Sequence, residues 1–419
     1  MGSFLINTLN TEKAGGLISN GASSPLWTKG QKVRTAFSLL IVIGLLFTAF
    51  KLSQGENAST APISLLIGIS LGLLLERGRF CFFCIFRDGI EDRNSTPFIS
   101  VLTAIAVGSI GYAIVFGQFL PDTTTDRLPP VAHIGPVSWP LALGAFIFGI
   151  GMTLSGACIS GHLYRLGQGY LRAIPALLGT LIGFGIAFLT WNWLYLHAIA
   201  DAPTIWLPHL LGYSGSLIAT FATLLALLIG AIKWGKNSDP LSRSTTSTPS
   251  ISRGINYLLF ERWNPIATGA LVGIVGMIAY LRVEPLGVTR QISTTARTFM
   301  TNQGIGDENL LGLDRMAGCI AVVAEAITNN GWIVVGIIFT SFAAALAGGR
   351  FKIDKPTPRN TATALLGGIF LGWGSMVSLG CTIGVLLSGT QAFALSGWVF
   401  FAFLLLGVYT GIKLRLHKS

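Results

Sequence analysis

Long apolar runs, separated by short polar connections that carry most of the cations, organise this chain from residue 35 almost to its C-terminus. The runs lie at about Thr35–Phe50, Pro62–Leu75, Pro97–Phe116, Trp139–Ala157, Ala173–Leu196, Gly215–Lys233, Pro265–Leu281, Trp332–Ala347, Thr361–Leu379 and Ser396–Ile412. A helix crossing a hydrocarbon core of roughly 30 Å needs about 17 to 25 apolar residues, a length that these runs approach or reach. Their continuity excludes a transmembrane β-barrel, whose strands alternate between lipid-facing and lumen-facing positions. The pattern predicts an all-α polytopic membrane protein of about ten transmembrane helices, with short broken or re-entrant helices between some of them. Residues 1–35 are expected to form a mobile tail and 36–61 an extra first span with its loop. Residues 62–234 and 263–413 read as two halves, joined by the polar linker 235–262 and followed by the tail 414–419.

The two halves repeat one another. The stretch Gly149–Gly169, GIGMTLSGACISGHLYRLGQG, recurs 223 residues later in Gly367–Gly384, GGIFLGWGSMVSLGCTIG. At this one offset Gly144 meets Gly367, Gly149 meets Gly372, Gly151 meets Gly374, Ser155 meets Ser378, Cys158 meets Cys381 and Gly161 meets Gly384. Glycine coincidences carry little weight among 52 glycines, but the serine and cysteine matches set a register. The seventh run ends in RVEPLGVTRQISTTART, a broken segment that resembles the Cys81 region in position but lacks its cysteine.

Charge then orients the ladder. Only 11% of residues are charged and the mean hydropathy is +0.66, against about 25% charged in a soluble domain. The net charge of +11 comes from cations such as Lys29, Lys32, Arg34, Lys233, Arg243, Lys413 and Lys418, which cluster at run ends and in the linker. That is the positive-inside distribution of a bacterial inner-membrane protein rather than a nucleic-acid surface, and it puts both termini in the cytoplasm. The loop Glu284–Arg315 is the exception, since its arginines fall on the outer side. Spans two to five and seven to ten then share one plan in opposite orientations, an inverted-topology repeat whose broken helices meet near the bilayer midplane.

The breaks are where chemistry is expected. A helix interrupted in lipid must bury its freed N–H and C=O groups in protein or turn them to a polar cavity. Gly156, Gly161, Gly380 and Gly384 supply the turn and the close approach. The helices that restart after Cys158 and Cys381 offer free amides and a positive dipole end to an anion. A thiol is a soft, weak donor, so Cys81, Cys158 and Cys381 suit a ligand that is itself rich in sulfur. Cys319 reads as an inert core residue. Five unevenly placed cysteines make no disulfide framework. The pair Cys81 and Cys84 in CFFC has redox spacing, but no second such pair and only one neighbouring histidine, His162, accompany it, so neither a metal nor a cofactor is expected. Arg77, Arg79, Arg87 and Arg165, with His162, could guide an anion, although arginines at cytoplasmic span ends are expected on topological grounds alone. G-x-x-x-x-G-K-[ST] is absent, so this chain does not itself use ATP in the way a P-loop protein does.

RGRFCFFCIFRDG, the Cys158 segment and LGWGSMVSLGCTIG, with FERWNP before the seventh span, resemble the YeeE/YedE family of sulfur-compound transporters over residues 62 to 412. The resemblance implies an hourglass-shaped helical permease with inverted halves. It also implies inward passage of thiosulfate by transient hydrogen bonds to the thiols of Cys81, Cys158 and Cys381 along a central path. A cytoplasmic sulfur-carrier protein is the partner class suited to receiving such cargo. Three features depart from the family pattern: Cys84 stands where a small residue is usual, Ala157 and Leu379-Gly380 replace parts of a Gly-Gly-Cys, and the N-terminal extension is long. The first leaves open a membrane thiol-disulfide oxidoreductase that uses Cys81 and Cys84.

Overall fold

A computed structural model describes residues 29–55, 59–235, 263–307, 309–313, 321–324 and 326–418. The N-terminal tail to residue 28, most of the linker, and Cys319 lie outside the described residues. The elements are α1 (Lys29–Leu52), α2 (Ala61–Gly78), α3 (Phe82–Glu91), α4 (Thr96–Phe119), α5 (Trp139–Ser155), α6 (Ile159–Gly167), α7 (Ala173–Leu194) and α8 (Leu207–Trp234), then α9 (Pro265–Arg282), α10 (Arg290–Asn302), α11 (Asn329–Ala347), α12 (Pro358–Val377), a π-type turn helix α13 (Thr382–Gly389) and α14 (Leu395–Lys413). No strand occurs among the described residues. Eight described helical stretches are long and apolar enough to cross a membrane, or nine if the bent pair α12 and α13 counts as one. The remaining expected span is α2, whose last turn carries Glu76 and Arg77. The chain is an all-α, multi-pass membrane protein.

Local sequence sets these boundaries. Pro140 and Pro358 sit in the first turns of α5 and α12, where a missing N–H costs nothing. Ser138 and Thr357 cap those helices by accepting from the amides of Leu141 and Asn360. Two expected boundaries shift. The connection between the fifth and sixth runs turns helical from Leu207, with a kink at Gly212, whose φ of 65° is open to glycine and lets the helix resume in a new direction. The broken segment that ends the seventh run leads into the amphipathic helix α10, whose Thr- and Arg-rich sequence hides it from an apolar-run reading.

At the centre, α5 and α12 cross at glycines. A Cβ on Gly144 would stand 2.9 Å from the Gly374 carbonyl oxygen, and one on Gly374 would stand 2.6 Å from the Gly144 oxygen. The same exchange joins Gly151 and Gly367, at 2.8 Å in each direction. Backbones this close are held by van der Waals packing that any side chain would wedge apart. The pairs are antiparallel, and the 223-residue offset turns one pair into the other, so the contacts carry the pseudo-two-fold relation of an inverted repeat. The relation extends outward: Gly149 packs on Leu404 and Val408 of α14, while Gly372 packs on Thr180 and Phe184 of α7. The outer pairs also exchange between halves, with Gly68 of α2 against Ile333 of α11 and Gly269 of α9 against Ser100 of α4.

The periphery is different in kind. Leu39, Leu40 and Phe47 of α1 and Ile218, Leu225 and Ile229 of α8 are exposed, apolar side chains that suit lipid contact. Gly44 of α1 has nothing within 4 Å of a Cβ position. Gly151→Val is therefore expected to destabilise the detergent-solubilised protein by about 1 to 3 kcal/mol, as overpacking does, and to lower its melting temperature. Gly44→Val should leave the melting temperature unchanged; equal melting of the two variants would contradict the crossing.

Candidate functional site

Each half has a long helix that stops inside the protein and restarts at a cysteine. In the first half α5 ends at Gly156, in the left-handed region with φ 86°, and α6 starts after Cys158. Ser155 Oγ donates to the Gly151 carbonyl before the break (2.8 Å) and lies 3.0 Å from the Ala157 carbonyl beyond it. In the second half Ser378 Oγ reaches Gly374 O at 2.6 Å and Gly380 O at 3.2 Å, the same pair of carbonyls by the repeat. The left-handed residue there is Leu379, φ 61°, and Gly380 follows at φ 154°. Gly380 and a leucine thus share the turn, and the leucine carries a positive-φ cost.

Cys158 caps α6 in place of the usual Ser, Thr, Asp or Asn. The Gly161 amide donates to its sulfur at 3.4 Å, and Ser160 Oγ lies 3.2 Å away. Cys381 holds the same N-cap position at α13 without a side-chain cap bond, its sulfur lying near the amides of Ile383 and Gly384 and near Thr289. At the first break an amide expected to face a free anion therefore bears on cysteine sulfur. Both cysteines are buried.

Cys81 joins the first of these. It caps α3, is buried, and lies beside both Cys158 and Cys84. Gly161 provides the room: a Cβ there would stand 3.2 Å from the Cys81 sulfur, 3.4 Å from the Cys158 sulfur and 3.0 Å from Ala157 Cβ. All four described cysteines are free thiols. Gly161 is a close-approach glycine with ordinary helical geometry, whereas Gly156 is the one that turns the chain.

The candidate arginines part company. Arg165 is the one placed on the thiol cluster, with Nη1 donating to Gly156 O at 2.9 Å and Nη2 lying 2.8 Å from the Cys84 sulfur. Arg172, unremarked in the sequence, donates to Leu154 O at 2.8 Å and to Thr363 Oγ1 at 3.1 Å, so two guanidinium groups serve the carbonyl end of α5. Arg77 is buried and donates to Ala344 O at 3.1 Å; beside it the Glu76 carboxylate takes Arg350 at 2.9 and 3.0 Å. These three tie α2 to the end of α11. Arg79 is exposed at a left-handed helix end, and Arg87 folds back on Asp88 at 3.0 and 2.7 Å. His162 is buried in α6. No group of three His, Cys, Asp or Glu side chains able to hold a metal occurs among the described residues.

The position equivalent to Cys81 in the second half is Thr289, which stands at the N-terminal boundary of α10 as Cys81 stands at that of α3, neither with a side-chain cap bond. A search for a repeated cysteine misses it. Aligning the helix that follows each first break, rather than the residue type, recovers it.

A family model described as sulphur transport matches residues 77–410, which takes in both breaks, the crossing glycines and all three buried cysteines. The thiosulfate transporter TsuA of Escherichia coli (strain K12) is 29% identical over 358 residues, covering 83% of this chain and 92% of the relative. TsuA of Spirochaeta thermophila is 27% identical over 359 residues, covering 83% and 96%. The "Probable transporter YedE" of Escherichia coli is 28% identical over 215 residues, 51% of each chain. With the matched region running from the first break to the last helix, the chain belongs to the sulphur transport family.

Proposed function

We propose that the protein imports thiosulfate, or a closely related sulfane-sulfur anion, across a bacterial inner membrane through the two cysteine-capped breaks. The observation that carries the reading is the repeat-related pair of buried thiols, Cys158 and Cys381, each seated as the N-cap of a helix that restarts inside the protein. Relatives named thiosulfate transporters support the choice of anion.

The energetic argument starts from desolvation. A doubly charged anion loses much hydration free energy in a low-dielectric neck, so donors must replace its water. Amides and hydroxyls alone would serve sulfate nearly as well. Thiosulfate adds a terminal sulfur, soft and weakly hydrogen-bonding, and Cys81, Cys158 and Cys381 offer it donors of matching softness that release it readily. Gly156, Gly161, Gly380 and Gly384 keep the backbone close to that route. Arg165 supplies positive charge beside the first thiols, while Arg77, Arg79 and Arg87 have carboxylate, carbonyl or solvent-facing roles that suit topology better than guidance. Transport requires no bond to be made or broken, and residues 62–234 and 263–413 act as the two halves of the permease. Lipid surrounds it, and a cytoplasmic sulfur-carrier protein is the fitting recipient.

Deleting one thiol leaves the anion's sulfur without a donor at one step, a loss of about 1 to 3 kcal/mol or roughly 5- to 150-fold in rate where that step limits. Cys158→Ala and Cys381→Ala are each expected to reduce uptake of labelled thiosulfate by that factor at normal membrane abundance, in cells without their own transporters. Cys319→Ala should not, and excess sulfate should compete poorly. Full uptake by the Cys158→Ala, Cys381→Ala double variant would refute the relay.

One contact gives a second reading its geometry: Arg165 lies 2.8 Å from the Cys84 sulfur, next to Cys81. A guanidinium there favours a reactive thiolate, as a thiol-disulfide oxidoreductase would need. Cys84→Ser separates the two, since a permease keeps most of its uptake and an oxidoreductase loses its activity. For topology, the linker and the C-terminus are expected in the cytoplasm. Cysteine substitutions at Ser247 and Ser419 should react with membrane-impermeant thiol reagents in inside-out vesicles and stay unlabelled in intact cells.

A further inference from the structure

The two halves agree in backbone plan and differ in chemistry at the break. α2 and α9 each run 18 residues, and each is followed by a short loop and an amphipathic helix, α3 or α10. The residue capping the second helix is Cys81 in one half and Thr289 in the other. Each lies beside its own half's break cysteine: Cys81 shares the space over Gly161 with Cys158, and Thr289 lies near Cys381 without a hydrogen bond to its sulfur. A second exchange runs in the same direction. The residue after Cys158 is Ile159, whereas the residue after Cys381 is Thr382. At these two positions the second half has hydroxyls where the first has a thiol and a hydrocarbon; one residue further on the exchange reverses, Ser160 against Ile383, but the Ser160 hydroxyl lies 3.2 Å from the Cys158 sulfur and is taken up there.

Both hydroxyls are buried, and neither Thr289 Oγ1 nor Thr382 Oγ1 has a nitrogen or oxygen partner among the described residues. Buried hydroxyls without such a partner are uncommon and ask for an explanation beyond packing. Thr289 is also held firmly. Ser388 Oγ of α13 donates to Leu286 O at 3.0 Å, and Asn330 Nδ2 of α11 donates to Gly287 O at 2.6 Å, so the loop before Thr289 is tied to two helices.

We propose that Thr289, assisted by Thr382, makes the second break an oxygen-binding station. Its hydroxyl donates to a sulfonate oxygen of the anion while Cys381 takes the terminal sulfur. The first station has two thiols over Gly161 and no hydroxyl at the Cys81 position, and its Ser160 hydroxyl is engaged by the Cys158 sulfur, so it grips the sulfur end. Thr289 is on this reading a specificity-determining residue for anions that carry both oxygen and soft sulfur. The proposal rests on the thiosulfate reading above and adds to it the second half's recognition of oxygen.

The test measures initial uptake of labelled thiosulfate, with unlabelled sulfate as competitor, in cells lacking their own transporters for either anion. Thr289→Val, nearly isosteric but without a donor, is expected to lower uptake roughly 5- to 150-fold at unchanged membrane abundance, while Thr289→Ser stays within about twofold of the unaltered protein. Thr289→Cys copies the first half. Because sulfate offers only oxygens, its power to compete relative to thiosulfate should fall about fivefold or more in that variant, a change that a packing role would not produce. Wild-type uptake by a normally abundant Thr289→Val protein overturns the proposal. If that variant does not accumulate, the other two decide: equal uptake by Thr289→Ser and Thr289→Cys with unchanged sulfate competition overturns it equally. Failure of the unaltered protein to take up thiosulfate would sink the transport reading itself, and this proposal with it.

Discussion

Broken helices inside a membrane protein leave backbone carbonyls and amides that lipid cannot satisfy, and the architecture of this chain depends on how it satisfies them. The solution is local and is used twice. A serine at each break places its hydroxyl between the carbonyls on either side, Ser155 within reach of Gly151 and Ala157 and Ser378 within reach of Gly374 and Gly380, donating to one of them at a time. In the first half Arg165 and Arg172 take up the carbonyls of Gly156 and Leu154 as well. With the carbonyl end settled, the amides that restart the helix are left to the cysteines.

The bridges hold only if the long helices approach closely, and this is where the glycines contribute. Gly144, Gly151, Gly367 and Gly374 bring the backbones of α5 and α12 into direct contact in a register that maps onto itself under the repeat. A core built from backbone contact is stiff, since small residues leave little side-chain freedom and no gap to relax into. It fixes where each helix breaks, and so where Cys158 and Cys381 stand. The lipid-facing helices α1 and α8 lack such contacts over much of their length.

Much of this was legible in the sequence because membrane proteins write their constraints in coarse signals. Apolar run length exposed the helices, and the shared offset of Ser155, Cys158 and their partners exposed the repeat. Four of the glycines matched at that offset, Gly144, Gly151, Gly367 and Gly374, are the ones that meet at the crossing. Other features stayed hidden for physical reasons. A sequence position does not say which carbonyl a long side chain will reach, so Arg77 and Arg165 looked alike although one ties α2 to α11 and the other lies against Cys84. Leu379 concealed a left-handed turn because the usual marker of that conformation is glycine. Thr289 was hidden by the loops: their lengths differ between the halves, so the spacing that relates Cys158 to Cys381 does not relate Cys81 to its counterpart.

Why cysteine should cap α6 and α13 follows from the strength of the cap. A serine, threonine or aspartate accepts firmly from a first-turn amide and is worth typically about 1 kcal/mol to the helix. Sulfur is a weak acceptor, so the amide of Gly161 is occupied by Cys158 without being committed to it. A helix N-terminus held this loosely keeps part of its positive end available to a passing anion. The same sulfur carries an S–H that can point at a soft acceptor. A cap chosen for stability would close the break against ligands, whereas a thiol leaves donor and dipole both within reach of one.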